Sequence, residues 1–469
     1  MCPPHAARCS FLPLPLLLTL AAAPAGTVLA QSAPIEEILV TAQKRSQSVL
    51  DVPIAVSAYG EEALRDAGVR DIKDLTVLSP GLVVSSSQSE SAGTTARIRG
   101  VGTTGDNLGL ESSVAVFVDG VYRNRNNVAL TELGDVERIE VLRGPQGTLF
   151  GKNASAGLIH IITRSPDPEA YGGFADLSVG DYGYWRLGGA FNAPVAGEKL
   201  ALRFDGSVTQ RDGFVDDIAS GNDYNDRDRY LARVQAFSQI TDNLDLRVIA
   251  DVSDRNETCC AAVTLIAGPT AAVIGAVGGE IINPPRPFDR VMTSNGNRGY
   301  DQDTEERGIS AEFNWESGVG TVTSITALRN WESGRSQDVD YTDADIVYRD
   351  RGTYENDFDT FSQELRLAGE TGSVRWLVGL FYVDEDLSFD DAIRVGVDYE
   401  AYANTILQGN LSAITGLPDG GIFVDGQGAV QDSFDQDASS WAVFTHNIWN
   451  ITDRWALTMG LRYTEEDKD

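Results

Sequence analysis

The chain has 469 residues, of which 69 are acidic and 37 are basic, so its net charge is −32 at pH 7. Such an acidic protein repels a phosphate backbone, and we expect no nucleic-acid partner. The length is enough for two or more domains.

The first thirty residues predict a cleaved secretory signal peptide. Arg8 precedes an apolar stretch over residues 11–23, and Val28-Leu29-Ala30 offers a small-residue cleavage site. The alternative is an anchored transmembrane helix, but prolines interrupt a run that is already short for a bilayer. We therefore expect export, with residues 1–30 removed.

Removal of the leader takes two of the four cysteines and leaves the adjacent pair Cys259-Cys260, with His160 and His446 as the remaining histidines. Because so few cysteine and histidine side chains remain, we expect no metal site and no bound cofactor. Adjacent cysteines can close a strained ring, stay reduced or pair with another chain. We interpret the pair as a loop feature.

A polar tail over residues 31–48 follows the leader. Within it, Glu36–Ala42 (EEILVTA) is a brief β-prone run. Alone it would be an orphan strand, whose amide groups are free to add to the edge of another protein's sheet. The alternative interpretation is a disordered linker.

The segment over residues 49–165 mixes helical and extended patterns. A short helix is predicted over Gly60–Ala67, and a second should open with Asp71 as its N-cap and end at Ser79-Pro80-Gly81. Short strands are predicted at Ile54–Val56, Leu82–Val84, Ala96–Ile98 and Val114–Val118.

The most informative stretch is Asp135–Ile162. It begins as an apolar strand from Val136, turns tightly at Gly144-Pro145-Gln146-Gly147, and ends as a second apolar strand over Leu158–Ile162. Pro145 fixes φ in the turn, and the glycines allow backbone conformations that a Cβ would forbid.

From about residue 171 to residue 469 the chain alternates apolar and polar residues. Leu200, Leu202 and Phe204 share one face of a strand, and Arg203 and Asp205 share the other. Period-two alternation over about ten residues is what a tilted strand needs to cross a bilayer with one face in lipid and one in a wet lumen. All seven tryptophans lie in this segment, as expected for aromatic girdles.

Eleven such strands are predicted, near residues 174–180, 184–193, 200–210, 229–240, 244–255, 305–316, 319–332, 358–369, 373–387, 436–449 and 454–465. Short turns alternate with long connections over residues 211–228, 256–304, 333–357 and 388–435, the asymmetry of outer-membrane barrels. An uncharged stretch, Ala261–Gly279, is interpreted as part of a long loop with a short helix after Pro269.

The number of predicted strands does not close a barrel. Bacterial barrels have an even number of strands, and those whose interior is filled by a separate folded domain, a plug, have about 22. We therefore expect that the C-terminal half of a barrel is missing from this sequence.

Several motifs in order resemble those of the TonB-dependent outer-membrane receptors: DVPIAVSAYGEEAL, DIKDLTVLSPGL, ARIRGVG, VAVFVDGVY and ERIEVLRGPQGTLFGKN. The match loosens at Ala156–His160, where the family more often has paired glycines and an Asn. The resemblance implies a mainly β fold, a transmembrane antiparallel β-barrel with an N-terminal α+β plug. Its expected domains are a signal peptide (1–30), a periplasmic tail (31–48), a plug (49–165) and the first half of a barrel (171–469).

The resemblance also implies a function, which is TonB-energised uptake of a scarce substrate across the outer membrane of a Gram-negative bacterium. The tail resembles a TonB box, so the residues expected to bind TonB are Glu37, Ile38, Leu39, Val40, Thr41 and Ala42. Apical plug loops near residues 85–95 and 101–112, with Tyr122, Arg123, Asn124 and Arg125, are candidate cargo contacts. A ferric siderophore or similar iron complex is the expected cargo; cobalamin, an oligosaccharide and an aromatic compound are alternatives. The remaining expected partner is outer-membrane lipid, and a non-transport binding or adhesion protein is a further alternative.

Motifs of enzyme chemistry are weak by comparison. Gly100–Gly105 satisfies G-x-G-x-x-G, but the dinucleotide fold needs a helix after the third glycine, and only residues 106–113 separate it from the next strand. Gly151-Lys152 lacks the spaced glycine and the hydroxyl of a P-loop. The carboxylates over Asp216–Asp228 could hold Ca²⁺, although a solvated loop is the favoured interpretation. We predict that the protein is not an enzyme.

Overall fold

The computed structural model describes residues 38–86, 94–103, 108–123, 125, 132–282 and 287–469. The predicted signal peptide lies outside these residues, as do Glu37, Asn124 and parts of the apical loops. Within the described ranges, no helix combines the length and the apolar character needed to cross a membrane.

The first part of the chain folds as a small mixed α+β unit, which we call the plug. Its strands are β1 (Leu39–Val40), β2 (Gln47–Ser48), β3 (Ala55–Gly60), β4 (Leu82–Ser86), β5 (Thr94–Ile98), β6 (Val114–Val118), β7 (Val121–Arg123), β8 (Val136–Arg143) and β9 (Gly157–Thr163). Its helices are α1 (Glu61–Asp66) and α2 (Gly147–Phe150). The central sheet has the order β3-β8-β9-β6-β7, in which β6 and β9 are parallel.

The plug is held together by an ordinary apolar core. Leu75, Val114, Ile139 and Ile159 are fully buried in it, because the predicted strands place one apolar face against the helical segments. The predicted turn after β8 leads directly into α2, and Gly144 has a φ of 98°, which favours glycine.

The second predicted helix is wrong in type. Asp71 accepts a hydrogen bond from the Asp74 N–H (3.0 Å), as a capping residue would. The segment that follows, Asp74–Val77, is a single 3₁₀ turn. Pro80 follows three residues later and leaves no room for an α-helix, because proline lacks the N–H that a helix needs.

The remainder of the chain is built on one antiparallel sheet of 13 strands, the wall. Its eleven long strands are β10 (Gly172–Val179), β11 (Trp185–Pro194), β12 (Leu200–Arg211), β15 (Arg227–Thr241), β16 (Leu244–Thr258), β18 (Asp301–Ser317), β19 (Gly320–Arg335), β22 (Tyr354–Thr371), β23 (Val374–Val395), β24 (Gly428–Thr452) and β25 (Trp455–Lys468). Two short strands, β20 (Gln337–Asp338) and β21 (Val347–Arg349), extend it beside β23. All eleven predicted strands are confirmed.

The wall buries polar side chains and exposes apolar ones. On β12, Arg203 and Asp205 are 5% and 6% exposed, whereas Phe204 between them is 44% exposed. The same inversion recurs on neighbouring strands, where Val234, Ile309 and Leu380 face outward. A sheet with an apolar outer surface and a polar inner one is the pattern of a transmembrane barrel, and the predicted fold class is confirmed.

The two ends of the wall differ as predicted. Two-residue turns connect β15 to β16, β18 to β19, β22 to β23 and β24 to β25. At the other end long loops carry structure of their own: β13 (Val215–Asp217), β14 (Asp223–Tyr224), β17 (Val291–Met292), α3 (Ala271–Ala276), α4 (Tyr399–Ile406) and α5 (Leu411–Thr415). The stretch 261–279 lies in such a loop, and α3 follows Pro269 as predicted.

Tryptophans mark the end of the wall with short turns. Trp315, Trp449 and Trp455 lie within a few residues of those turns and are 45–74% exposed. Trp331 is an exception to the girdle expectation, since it is 2% exposed and packs with Leu108 of the plug.

Candidate functional site

The predicted TonB box is the start of a small hairpin. Leu39 and Val40 of β1 pair with Ser48 and Gln47 of β2, and the Lys44 N–H donates to the Thr41 carbonyl (2.8 Å) in the turn between them. Val40 and Ala42 are fully buried, whereas Leu39 is 49% exposed and Ile38, just before the hairpin, is 47% exposed.

Thr41 is clamped to the central sheet of the plug by a carboxylate. Its N–H donates to both oxygens of Glu140 on β8 (2.8 and 3.1 Å), and its hydroxyl donates to Oε1 (3.1 Å). Glu140 is fully buried and also accepts from Arg138 Nε (2.9 Å). Hydrogen bonds from the Thr41 N–H, the Thr41 hydroxyl and the Arg138 guanidinium thus replace the water that this buried carboxylate would otherwise bind.

His160 on β9 completes the clamp. Its Nδ1 lies 3.3 Å from the Thr41 hydroxyl, which already donates to Glu140. Thr41 Oγ1 and His160 Nδ1 are thus within hydrogen-bond distance of each other. Burial lowers the pKa of His160, against the opposite effect of Glu140 and Asp119. Its Nε2 has no partner among the described residues.

Ion pairs link the plug to the wall. Asp135 accepts from Arg203 Nε on β12 (2.6 Å), and Asp119 lies 3.3 Å from Arg247 Nη1 on β16. Further pairs join Arg123 to Glu306 and Lys152 to Glu385 and Glu466. The interface between plug and wall therefore combines buried ion pairs with apolar clusters, such as the one in which Phe150 of the plug packs with Leu377 and Phe444 of the wall.

The candidate cargo contacts on the plug lie in this interface. Tyr122 is 3% exposed, and its hydroxyl accepts from the Asn153 amide (2.6 Å). Arg123 is 8% exposed and pairs with Glu306. Arg125 donates to Gln436 on β24 (3.0 Å) and lies over the Phe358 ring, 5.1 Å from its centre. Asn124 lies outside the described residues, so the structure brings three of the four candidates to the wall.

An open cavity also lies among the long loops, and the sequence analysis did not select the residues that line it. This cavity of about 610 Å³ is lined by polar and aromatic side chains that include Tyr224, Asp226, Thr258, Arg298, Tyr300 and Arg351. The tyrosines are its most informative feature: Tyr224 and Tyr300 pack ring against ring at 4.7 Å, and Tyr341 lies 6.1 Å from Tyr300. Loop length was the only signal in the sequence, because these residues come together from three separate connections.

The two other loop features of the sequence have structural partners. Cys259 and Cys260 are bonded to each other as a disulfide, and the Cys259 N–H donates to the Tyr300 carbonyl (2.7 Å). Within the acidic stretch, Asp217 accepts from the hydroxyls of Ser220 and Ser294 (both 2.6 Å). Across the described part of the chain, no group of three or more His, Cys, Asp or Glu side chains has the arrangement of a metal site.

A family model matches the plug. Residues 48–158 match the TonB-dependent receptor plug domain. The pesticin receptor of Yersinia pestis is 39% identical over 139 residues, which are 29% of this chain and 20% of that receptor. The iron-regulated outer membrane virulence protein of Vibrio cholerae is 28% identical over 238 residues, 46% of this chain and 34% of that protein.

Solved structures match plug and wall together. The ferric yersiniabactin uptake receptor of Yersinia pestis overlays with a TM-score of 0.70 at 19% identity, covering 88% of this chain and 57% of that one. The ferripyoverdine receptor of Pseudomonas aeruginosa overlays with a TM-score of 0.65 at 14% identity, covering 92% and 54%. The chain thus overlays on little more than half of either receptor. Residues 48–158 thus match a TonB-dependent receptor plug domain, and most of the chain shares the fold of part of these two receptors.

Proposed function

We propose that the protein is an outer-membrane receptor that takes up a ferric siderophore, or a similar iron complex, with energy supplied through TonB. The observation that carries the proposal is a short β-prone tail segment folded beneath a plug, inside a wall whose outer face is apolar. A porin needs no such plug, and an adhesin has no need of a docked tail.

The tail residues Glu37–Ala42 are the proposed TonB-binding segment. In the docked hairpin β1 pairs with β2 over only two residues, so few backbone hydrogen bonds oppose its exchange for a strand of a partner protein. Side chains hold the segment more firmly than its strand pairing does, through the bonds of Thr41 to Glu140 and His160. TonB would therefore compete for the backbone after the clamp at Thr41 has opened.

The names of the relatives support an iron complex as cargo. They include a pesticin receptor, an iron-regulated virulence protein and the catecholate siderophore receptor Fiu of Escherichia coli. Cobalamin is the second candidate, because the vitamin B12 transporter BtuB of Vibrio vulnificus is 27% identical over 149 residues. We propose that cargo first enters the cavity among the long loops, and that Tyr122, Arg123 and Arg125 meet it only after they leave the wall.

The docking role is tested by Val40→Pro in the full-length receptor. Proline removes the amide donor that an added strand needs, so uptake should be abolished while cargo binding at the cell surface is retained. Val40→Ala is the matched control, since it shortens the side chain but keeps the N–H, and it should transport. Normal uptake by Val40→Pro would refute the docking role.

The cargo is tested by a binding screen of the purified receptor against ferric siderophores, cobalamin and oligosaccharides, followed by uptake of the labelled hit in cells with and without TonB. Submicromolar binding of a ferric complex with TonB-dependent uptake is the expected result. If only cobalamin bound, cobalamin and not an iron complex would be the cargo. Uptake that does not depend on TonB would refute TonB-energised transport.

A further inference from the structure

Lys44, at the tip of the tail hairpin, has an unusual backbone conformation. Its φ is 55°, in the left-handed region that non-glycine residues seldom adopt. Such a conformation is unfavourable for a residue that has a Cβ, and it persists only where surrounding contacts impose it. The contacts of the side chain must therefore more than offset the backbone cost.

The side chain crosses from the tail to the wall. Its ammonium forms an ion pair with Glu364 on β22, and the two side chains are only 7% and 4% exposed. Arg366 Nη1 donates to the other oxygen of the same carboxylate (2.9 Å). Glu364 is 320 residues away in sequence, so this bond directly joins the tail to the barrel.

Three aromatic rings surround the ammonium. Phe150 of the plug and Phe444 of the wall each lie 5.2 Å from Nζ, and Phe117 of the plug lies 6.0 Å away. The faces of aromatic rings attract a cation at such distances, and the attraction is stronger where the cation is removed from water. The Lys44 side chain, which belongs to the tail, thus contacts both the plug and the wall.

A cavity beside the hairpin gives the tail space to move. It has a volume of about 260 Å³, and Thr41, Lys44, Arg45 and Ser46 form one side of it. Withdrawal of the hairpin would enlarge this space without displacing any strand of the wall.

We propose that Lys44 is a positioning residue that tethers the docked tail to the barrel wall through Glu364, and that breaking this pair is the step that frees the tail for TonB. This inference rests on the proposed function. Thr41 holds the tail to the plug alone, whereas Lys44 holds it to the part of the protein that stays fixed in the membrane.

The test measures tail release in the full-length receptor through a thiol at Gln43, which is 2% exposed in the docked tail. Gln43→Cys places a reactive thiol in the tail, and labelling is measured relative to the parent that keeps Gln43. Lys44→Met should raise the rate of maleimide labelling at least roughly tenfold, because it removes the ammonium that joins the tail to Glu364 and leaves that buried carboxylate with Arg366 alone. Glu364→Gln should do the same.

The double variant Lys44→Met/Glu364→Gln separates a tether from general damage. If the two side chains act through one shared contact, their effects do not add, so the double variant should label at about the same rate as either single variant. Arg203→Met is the matched control, since it breaks another buried pair between plug and wall, with Asp135, far from the tail in sequence. It should leave labelling unchanged, and heat-modified gel mobility should confirm a folded barrel in every variant.

Binding of the purified TonB C-terminal domain to the same samples distinguishes the two hypotheses. A tether predicts stronger TonB binding in step with labelling. The tether hypothesis is overturned if labelling is unchanged in both single variants, or if Arg203→Met raises it equally. In either case TonB binding to the parent would leave the proposed function intact. Absence of TonB binding in every variant, including those with a released tail, would instead overturn the proposed function.

Discussion

The plug and the wall differ in which side chains they bury. The plug places apolar residues such as Ile139 and Ile159 inside, as a soluble domain does. The wall places Arg203 and Asp205 inside and exposes Phe204 and Ile309. Alternating strands therefore occur in both parts, but they bury opposite faces. A strand whose outer face meets water buries its apolar side chains, whereas a strand whose outer face meets lipid buries its polar ones.

The difference matters most where the two regions meet. Because the inner face of the wall is polar, the plug contacts it through pairs such as Asp135 with Arg203 and Asp119 with Arg247. Charged groups recover hydration when they separate, whereas separated apolar faces recover nothing. The ion-paired parts of the interface are thus cheaper to separate than parts of equal area where apolar side chains pack, as they do around Phe444.

The largest expected effect of a point change is in the plug core. Ile139→Ala removes a fully buried side chain and should lower the stability of the plug by about 2–5 kcal/mol. Ile309→Ala, the same change on the outer face of the wall where the side chain is 49% exposed, should cost far less. Hydrogen exchange of the full-length receptor in detergent would show faster exchange confined to plug amides for Ile139→Ala alone. Equal effects would mean that the two regions do not bury opposite faces.

A charge on the outer face of the wall gives the next largest effect. Leu380, six residues above the short turn at the start of β23, is 52% exposed, and Leu380→Arg should cost about 2–4 kcal/mol in a bilayer. Val430→Arg is the control, because Val430 is 58% exposed but lies near the loop end of β24, where the expected cost is about 0–1 kcal/mol. Urea titration of folding into lipid vesicles measures both. A similar cost at the two positions would place Leu380 outside the membrane.

The sequence was sufficient to locate every long strand of the wall, because period-two alternation is a local property. It placed strand ends less well. β23 was predicted to end at residue 387 and continues to Val395, and β24 begins at Gly428, eight residues before its predicted start. Alternation fades where a strand leaves the lipid, although its backbone ladder continues, so hydropathy cannot mark those ends.

The candidate site was predictable only in part, for the same reason. The tail was recognised as a β-prone segment, but as an orphan strand, whereas the structure pairs it with Gln47–Ser48 and buries Val40. Its side-chain partners Glu140, His160 and Glu364 are 99, 119 and 320 residues away. No local pattern reports such distances. The sequence analysis noted His160 as one of two remaining histidines and as part of a departure from the family, but not as a partner of the tail.

A smaller effect is expected from the Thr41 hydroxyl. Thr41→Val keeps the backbone bond to Glu140 but removes the bonds of the hydroxyl to Glu140 and His160, which should weaken tail docking by about 1 kcal/mol. A loss of about 1 kcal/mol corresponds to a roughly fivefold change in the docking equilibrium, so labelling at Gln43→Cys should rise roughly fivefold. Thr76→Val is the matched control, since its hydroxyl donates only to the Lys73 carbonyl (2.8 Å) within the plug. An equal rise in the control would show that labelling follows plug stability and not the clamp.

The smallest expected effect is a pH dependence of tail docking through His160. Burial lowers the pKa of His160 below 6.5 in the docked tail, although Glu140 and Asp119 favour the charged ring and Arg138 and Lys44 oppose it. The docked state therefore binds a proton more weakly than the released state, so docking should weaken as pH falls below 6.5. A nitroxide at Gln43→Cys should become more mobile between pH 7.5 and 5.0, and His160→Asn should remove most of that change while keeping a hydrogen-bonding group near Thr41. If His160→Asn left the change intact, another group would control it, and the clamp would hold Thr41 without responding to pH.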